Sequence, residues 1–305
     1  GIQGFMFQGA TVVLHGNTRP GEMFQLIERH RVTHIKVVPA LLIRLINDPS
    51  ITDHQLDSVQ LIQSGGQRMQ PEVRLRTRQL FRNAFVQENF GMSEGLLMFV
   101  RAGDPEEVLL ETCGRPVCAD DEVMLIDDEG REVPDGEVGE LFSCTPYAFE
   151  GYWQAPQKTA EAFAGAWVSV GDMAKRDADG YIWLIDRKSN MIISGGENVY
   201  PSEVENVLAS HPDIQEVAVV GVPHPKWGES VLAAVVLRDQ AASSSQALQD
   251  FCSSRLAGYK RPRQFVFLQS QDLPRTATGK IVHRHLRQKF IDALKSVKEK
   301  ILIES

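Results

Sequence analysis

Lys280 stands at the end of an unusual loop, Leu273-Pro274-Arg275-Thr276-Ala277-Thr278-Gly279-Lys280. A lysine on a Gly/Thr-rich loop is a mobile cation. Set against an α-phosphate and a carboxylate oxygen, it would stabilise the charge that develops as pyrophosphate leaves. A solvated surface lysine is the plainer reading, and the flanking Pro, Thr and Gly make it less complete. Four further groups of residues could do related chemistry. Asn89-Phe90-Gly91-Met92-Ser93-Glu94-Gly95 follows a strand signal. There an aromatic beside a glycine can stack on a purine, a hydroxyl can donate to phosphate, and a carboxylate can hold Mg²⁺, which prefers oxygen ligands. The same residues also fit a strand followed by a capped helix start. Ser64-Gly65-Gly66 ends the preceding strand signal, where paired glycines admit either a close ligand or an ordinary tight turn.

The fourth group joins Gly171-Asp172 to Asp186-Arg187. A carboxylate can accept both hydroxyls of a ribose, and an arginine can donate to the same sugar or to a phosphate. A turn aspartate and a surface ion pair would look the same. The fifth runs from Ile193 through Gly195, Gly196 and Glu197 to Tyr200-Pro201 and Glu205. A glycine pair ahead of a proline-started helix predicts an exposed, mobile loop with free backbone donors. An ordinary loop into a helix is the alternative.

Elements must hold these groups in place. Residues 10–91 alternate strand and helix signals. TVVLH (11–15), THIKVV (33–38), VQLIQSGG (59–66) and AFVQENFG (84–91) read as strands. PGEMFQLIERH (20–30), with Phe24, Leu26 and Ile27 on one side, PALLIRLIND (39–48) and PEVRLRTRQLFRN (71–83) read as helices. Such alternation with short links predicts a parallel, doubly wound sheet, and ligands of such sheets gather at the carboxyl ends of strands. Beyond about residue 110 the rhythm changes to strands joined by Asp/Gly/Pro turns, including a hairpin over 165–186 that turns at Asp177–Gly180. This predicts a small β-barrel or sheet. From Asn190 the pattern is a separate α+β unit with helices over 201–211 and 243–257 and a charged helix from about Val282. The fold class is therefore α/β: a partial doubly wound sheet, a small β-barrel subdomain and a separate small α+β domain. The expected division is 1–186 (a sheet part to about 110, a β-rich part from 111), a hinge at 187–189, and 190–305.

The 305 residues are 43% hydrophobic and 24% charged, the balance of a globular protein. A formal net charge of −8 argues against a sequence-independent grip on nucleic acid or an anionic membrane. No apolar run is long enough to span a bilayer. The four cysteines, Cys113, Cys118, Cys144 and Cys252, form no CxxC pair and read as reduced thiols of a cytoplasmic protein, with no zinc site. The chain opens on Gly1 and runs straight into GIQGFMFQGATVVLH, which reads as the middle of a fold. A front segment, with or without a targeting peptide, is expected upstream.

Order and spacing make the five groups specific together. The sequence resembles the adenylate-forming superfamily, which includes acyl- and aryl-CoA ligases, luciferase-like enzymes and the adenylation domains of peptide synthetases, over essentially all 305 residues. The resemblance implies ATP, Mg²⁺ and coenzyme A as co-substrates and cofactor. An acid and ATP would give an acyl-adenylate and pyrophosphate; a thiol would then take the acyl group and release AMP. By the same resemblance Asn89, Phe90 and Gly91 border adenine, Ser93 touches phosphate and Glu94 binds Mg²⁺. Gly65 and Gly66 match the strand end between adenine and the acyl pocket. Asp172 matches the ribose-binding aspartate, Arg187 its partner, and Lys280 the lysine of the adenylation step. Gly195, Gly196 and Glu197 match the loop lining the thiol's approach. One site cannot present Lys280 and then a thiol to the same carbonyl without moving one away, so the small domain is expected to rotate. The hinge position falls on Ser189, where the family generally has Asp or Lys.

The family's phosphate-binding loop ending in Pro-Lys-Gly occurs nowhere in the sequence. The isolated chain is therefore expected to be inactive in adenylation. Gly95-Leu96-Leu97, Asp104-Pro105-Glu106-Glu107 and the turn Asp120–Val123 look like 2,3-dihydroxybenzoate–AMP ligases, whereas SGGENVYPSEVE looks like CoA ligases. The implied function is an aryl-acid (hydroxybenzoate-like) CoA ligase. A stand-alone aryl-acid adenylating enzyme that loads a carrier protein, a medium-chain acyl-CoA ligase and a non-catalytic nucleotide-binding fragment stay open. Expected partners are the small acid and CoA, with no nucleic acid and a possible homodimer.

Overall fold

The computed structural model describes residues 6–66, 69–239, 241–276 and 279–303, the last nine of these by backbone alone. Ala277 and Thr278 of the Lys280 loop lie outside the described residues. Packing groups the chain into two compact units: Gly1–Val123 with Ser143–Val168 and Arg176–Trp183, and Met124–Phe142 with Ser169–Lys175 and Leu184–Ser305.

In the first unit, helix α1 (Pro20–His30) starts on a proline and stops at Arg31, whose left-handed φ of 48° lets its N–H reach the last carbonyls. Phe24 and Ile27, one turn apart, face the core; Leu26 is only half-buried. Strand β1 (His34–Val37), helix α2 (Pro39–Asn47), strand β2 (Leu61–Gly65), helix α3 (Pro71–Leu80) and strand β3 (Phe85–Gly91) follow as the alternation predicts. Strands β1, β2 and β3 are parallel neighbours, with Val37 beside Ser64 and Gly65 beside Asn89. Phe24, Leu42, Leu45, Ile62 and Phe81 fill the core beneath them.

Residues 11–15 form no strand, contrary to the sequence expectation; among the described residues they have no neighbouring strand to pair with, and Leu14 is exposed. The sheet is completed instead by two short antiparallel strands, β4 (Leu97–Phe99) and, after helix α4 (Glu106–Glu111), β5 (Arg115–Pro116). A buried ion pair braces it: Arg74 of α3 meets Glu88 of β3 and donates to the carbonyls of Leu109, at 2.7 Å, and Thr112. Removing either partner would strand a buried charge.

Strands β6 (Glu122–Ile126) and β7 (Val138–Cys144) come next, then helix α5 (Pro156–Ala162) and strand β8 (Phe163–Ala164). Strands β9 (Trp167–Arg176) and β10 (Ile182–Arg187) complete a sheet of order β10-β9-β7-β6, with β8 beside β9. The β9/β10 hairpin turns where Gly180 donates to Asp177 and Asp177 to Tyr181.

The rest of the second unit is an α+β fold. It contains β11 (Ile192–Ser194), β12 (Glu197–Val199), helix α6 (Pro201–Ala209), β13 (Ile214–His224), β14 (Gly228–Leu237), helix α7 (Ser245–Ser253), β15 (Gln264–Phe267) and helix α8 (His283–Ile303). The sheet order is β12-β11-β14-β13, with β15 parallel to β14. Alternate residues of β13 face opposite layers: Val219 packs with Val204, Leu208 and Leu248, while Ala218 and Val220 pack with Leu286 and Phe290. Ser244 caps α7 by accepting from Ala247 N. Among the described residues no helix is long and apolar enough to cross a membrane.

Candidate active site

In the first unit, the carboxyl ends of β2 and β3 lie side by side with Gly65 paired to Asn89. A Cβ on Gly65 would fall 2.5 Å from both the side-chain nitrogen and the carbonyl oxygen of Asn89. Close approach, rather than the ordinary tight turn, therefore requires glycine here. Asn89 Oδ1 is buried with no hydrogen-bond partner among the described residues. A buried acceptor without a donor is costly, and the exocyclic amine of a purine is a donor of suitable kind.

Beyond Asn89 the chain makes a tight hairpin rather than a helix start. Met92 N donates to Leu96 O at 3.0 Å and Gly95 N to Met92 O at 3.2 Å, while Phe90 and Gly91 pair with Met98 and Leu97. Ser93 and Glu94 thus sit at the turn, Ser93 exposed and Glu94 half-buried. The Glu94 carbonyl accepts Phe149 N at 2.9 Å, and its Oε1 accepts the Tyr152 hydroxyl at 2.8 Å. Gly66 is exposed, with φ +90°.

In the second unit, β9 and β10 bring Asp172 and Arg187 together: Arg187 Nε lies 3.2 Å from Asp172 Oδ1. Asp172 is 8% exposed and its Oδ2 is buried without a partner among the described residues, while the Arg187 side chain is half-exposed. Burial pushes the Asp172 carboxyl above its ordinary value, although Arg187 and Lys280 pull the other way. Lys280 bears on the same group. Its ammonium is held below the usual lysine range, first by desolvation and then by Arg187, against Asp172 and Asp186. The loop below it is a small clamp: Thr276 N donates to Lys280 O at 2.8 Å, Lys280 N to Thr276 Oγ1 at 3.1 Å, and Arg275, ion-paired with Glu216, to Gly279 O.

Gly195 and Gly196 are the turn of the β11/β12 hairpin, with φ +65° and +90°. The expected free donors are only partly there, since Gly195 N donates to Trp227 O at 2.8 Å. Glu197 opens β12 and is exposed. Ser189 is exposed in a 3₁₀ turn, Lys188–Asn190, and the neighbouring Lys188 meets Glu140 at 2.9 Å and Asp128 at 3.1 Å.

Each unit thus has a buried acceptor without a donor among the described residues, Asn89 Oδ1 in the first and Asp172 Oδ2 in the second. Among the described residues no three His, Cys, Asp or Glu side chains form a metal cage. A lone carboxylate at Glu94 suits Mg²⁺, which is commonly held by one or two carboxylates plus substrate phosphates and water. Sequence reasoning did not find Tyr152; its position after Gly151, beside an exposed Trp153, was the available signal. Nor did it find the roughly 510 Å³ cavity along α3, lined by Arg74, Arg78, Arg82 and Glu106, which contains none of the candidate residues.

Residues 1–153 match the AMP-binding enzyme family, and residues 203–280 match the AMP-binding enzyme C-terminal domain. The chain is 34% identical over 294 residues to a medium/long-chain-fatty-acid–CoA ligase of Mycobacterium tuberculosis, covering 93% of this chain and 51% of the relative. It is 35% identical to a 2,3-dihydroxybenzoate–AMP ligase of Bacillus subtilis, covering 96% and 54% respectively. Its fold superposes on o-succinylbenzoate CoA synthetase from Bacillus subtilis, solved with an acyl-adenylate intermediate, at a TM-score of 0.81, 32% identity and coverage of 93% and 56%. The chain spans about half the length of the curated relatives it matches. With its first half and a later segment both matched, the chain belongs to the AMP-binding enzyme family.

Proposed function

We propose that the whole protein is an AMP-forming aryl-acid–CoA ligase. The observation that carries the reading is Asp172: a buried carboxylate with one oxygen on Arg187 and the other without a partner among the described residues. That arrangement suits a ribose whose two hydroxyls donate to Asp172 while Lys280 serves the α-phosphate. In the first step a carboxylate oxygen of the acid bonds to the α-phosphorus and pyrophosphate leaves. Lys280 offsets the charge that grows on the phosphate and on the leaving group. Asn89, Phe90 and Gly91 border the adenine, with Gly65 and Gly66 between it and the acid, and Ser93 donates to phosphate. Glu94 would hold the Mg²⁺ that accompanies ATP, which would supply further charge neutralisation. In the second step the CoA thiol bonds to the acyl carbon and AMP leaves, the thiol entering past Gly195, Gly196 and Glu197. The division into 1–186, a hinge at 187–189 and 190–305 supplies the exchange between steps.

The aryl preference rests on the relatives named for 2,3-dihydroxybenzoate and o-succinylbenzoate. The fatty-acid relative supports a second reading, a medium-chain acyl acid as substrate. The test offers the full-length protein a panel of benzoates, cinnamates and C6–C12 fatty acids with ATP, and follows AMP release with CoA or with a holo-carrier protein. Hydroxybenzoates should give the highest kcat/KM with CoA. Preference for a fatty acid or for the carrier protein would overturn the corresponding half of the assignment.

A further inference from the structure

One short segment fixes Glu94 at two points. Phe149 N donates to its carbonyl oxygen at 2.9 Å, and the Tyr152 hydroxyl donates to its Oε1 at 2.8 Å. Backbone and carboxylate are thereby set relative to each other. The segment is itself braced. Tyr152 N donates to Thr159 Oγ1 at 2.9 Å, and that hydroxyl donates to Ala155 O at 3.0 Å, at the start of α5. The Phe149 ring meets Tyr152 edge-on at 4.9 Å and stacks on Phe163 at 5.2 Å. Lys158 Nζ lies 4.0 Å from the centre of the Tyr152 ring, a cation–π contact that fixes the ring's position.

A glutamate at a hairpin turn would otherwise sample several rotamers and lose that freedom on binding a ligand. Here a phenol spends its one proton on Oε1, while Oε2 has no partner among the described residues. A neutral donor leaves the carboxylate's charge intact and gives it one open coordination direction. We propose that Tyr152 is a positioning residue for the divalent cation: it holds Glu94 so that Oε2 meets the metal that accompanies ATP. This rests on the adenylate-forming reading and names a residue that reading does not use.

The test titrates Mn²⁺ into the full-length protein with ATP, reading bound Mn²⁺ by electron paramagnetic resonance, and measures metal-free AMP binding by calorimetry. Tyr152→Phe keeps the ring and its packing. It should raise the Mn²⁺ concentration for half-saturation about 10- to 100-fold, the range expected for losing a hydrogen bond that orients a metal ligand. AMP affinity without metal should stay within about twofold, because AMP does not use Glu94. Glu94→Gln should raise half-saturation further, and Tyr152→Phe should add nothing in that background. Should Tyr152→Phe fail to fold, Thr159→Val, which loosens Tyr152 but keeps its hydroxyl, must shift the same titration in the same direction. An unchanged Mn²⁺ titration with normal AMP binding, or full additivity with Glu94→Gln, overturns the role of Tyr152 alone. Wild-type protein that binds neither ATP nor AMP overturns the nucleotide reading, and the inference with it.

Discussion

Asp172 and Lys280 set opposite limits on pH. Burial raises the Asp172 pKa above the ordinary 3.8, with Asp186 adding to it and Arg187 and Lys280 opposing. Desolvation, then Arg187, lowers that of Lys280 from 10.5. The proposed roles need the aspartate as an anion and the lysine as a cation. The anion is lost as pH falls through a value above 3.8, and the cation is lost as pH rises through a value below 10.5. Acid-dependent ATP–pyrophosphate exchange should therefore occupy a narrower pH window than free side chains would allow. In a profile from about pH 5 to 10, Lys280→Arg should slow the reaction and move the alkaline limb upward, because a guanidinium does not titrate there. An alkaline limb that stays in place would remove Lys280 from the step. Both residues could be picked out from the chain, since a Gly-Asp pair and a lysine after Thr-Gly are local patterns. The uncompensated Oδ2 could not, because its surroundings are set by the packing of segments distant in the chain.

Among the elements, helix α6 is tied by groups outside itself. It has no side-chain cap of its own; Asp186, from β10, accepts Ser202 N at 2.8 Å and Asn190 Nδ2 at 3.0 Å. An acidic group at a helix N-terminus satisfies exposed N–H groups and complements the dipole. One turn on, Glu205 accepts Val219 N of β13 and pairs with His283 of α8, each at 2.7 Å. Desolvation lowers the pKa of His283, but Glu205 and Asp186 outweigh it and leave the net shift upward from 6.5. A raised histidine pKa gives stability that is complete below the unfolded value of 6.5 and is lost as pH rises through the folded value. His283→Gln should therefore cost about 1–2 kcal/mol at acidic pH, and the gap to wild type should narrow in alkali. Urea unfolding at about pH 6 and pH 9 checks this; a gap that does not change with pH would exclude the charged pair. Helix positions were legible from Pro starts and apolar spacing. The short pieces β4, α4 and α5 were not, having too few residues to show a period.

For the whole molecule, the proposed two-step chemistry demands that the carboxyl-terminal domain turn about residues 187–189. Arg187 already has extended backbone (φ −87°, ψ 137°), and Lys188 opens the 3₁₀ turn. Lys188→Pro therefore fits the conformation described here and resists leaving it. The two half-exposed ion pairs it removes are worth only about 0–1 kcal/mol each, and Lys188→Ala measures that share. Lys188→Pro should leave pyrophosphate exchange within about threefold of Lys188→Ala and slow thioester formation by tenfold or more. Equal loss of both half-reactions would argue against a hinge at this place.

From the chain alone came the strand–helix alternation, the hairpin over 165–186, the α+β end and five ordered motifs. These are short-range patterns, written in apolar periodicity and in Pro and Gly punctuation. What the tertiary structure decided are pairings across long stretches of chain. Tyr152 reaches Glu94 across 58 residues, His283 reaches Glu205 across 78, and Arg74 lies buried against Glu88. Each depends on chain closure and on neighbours that no local window contains, and each is worth only about 1–3 kcal/mol, too little to impose a residue pattern readable from one sequence. The sequence could name Glu94 as a metal-binding candidate; only the folded chain shows what holds it still.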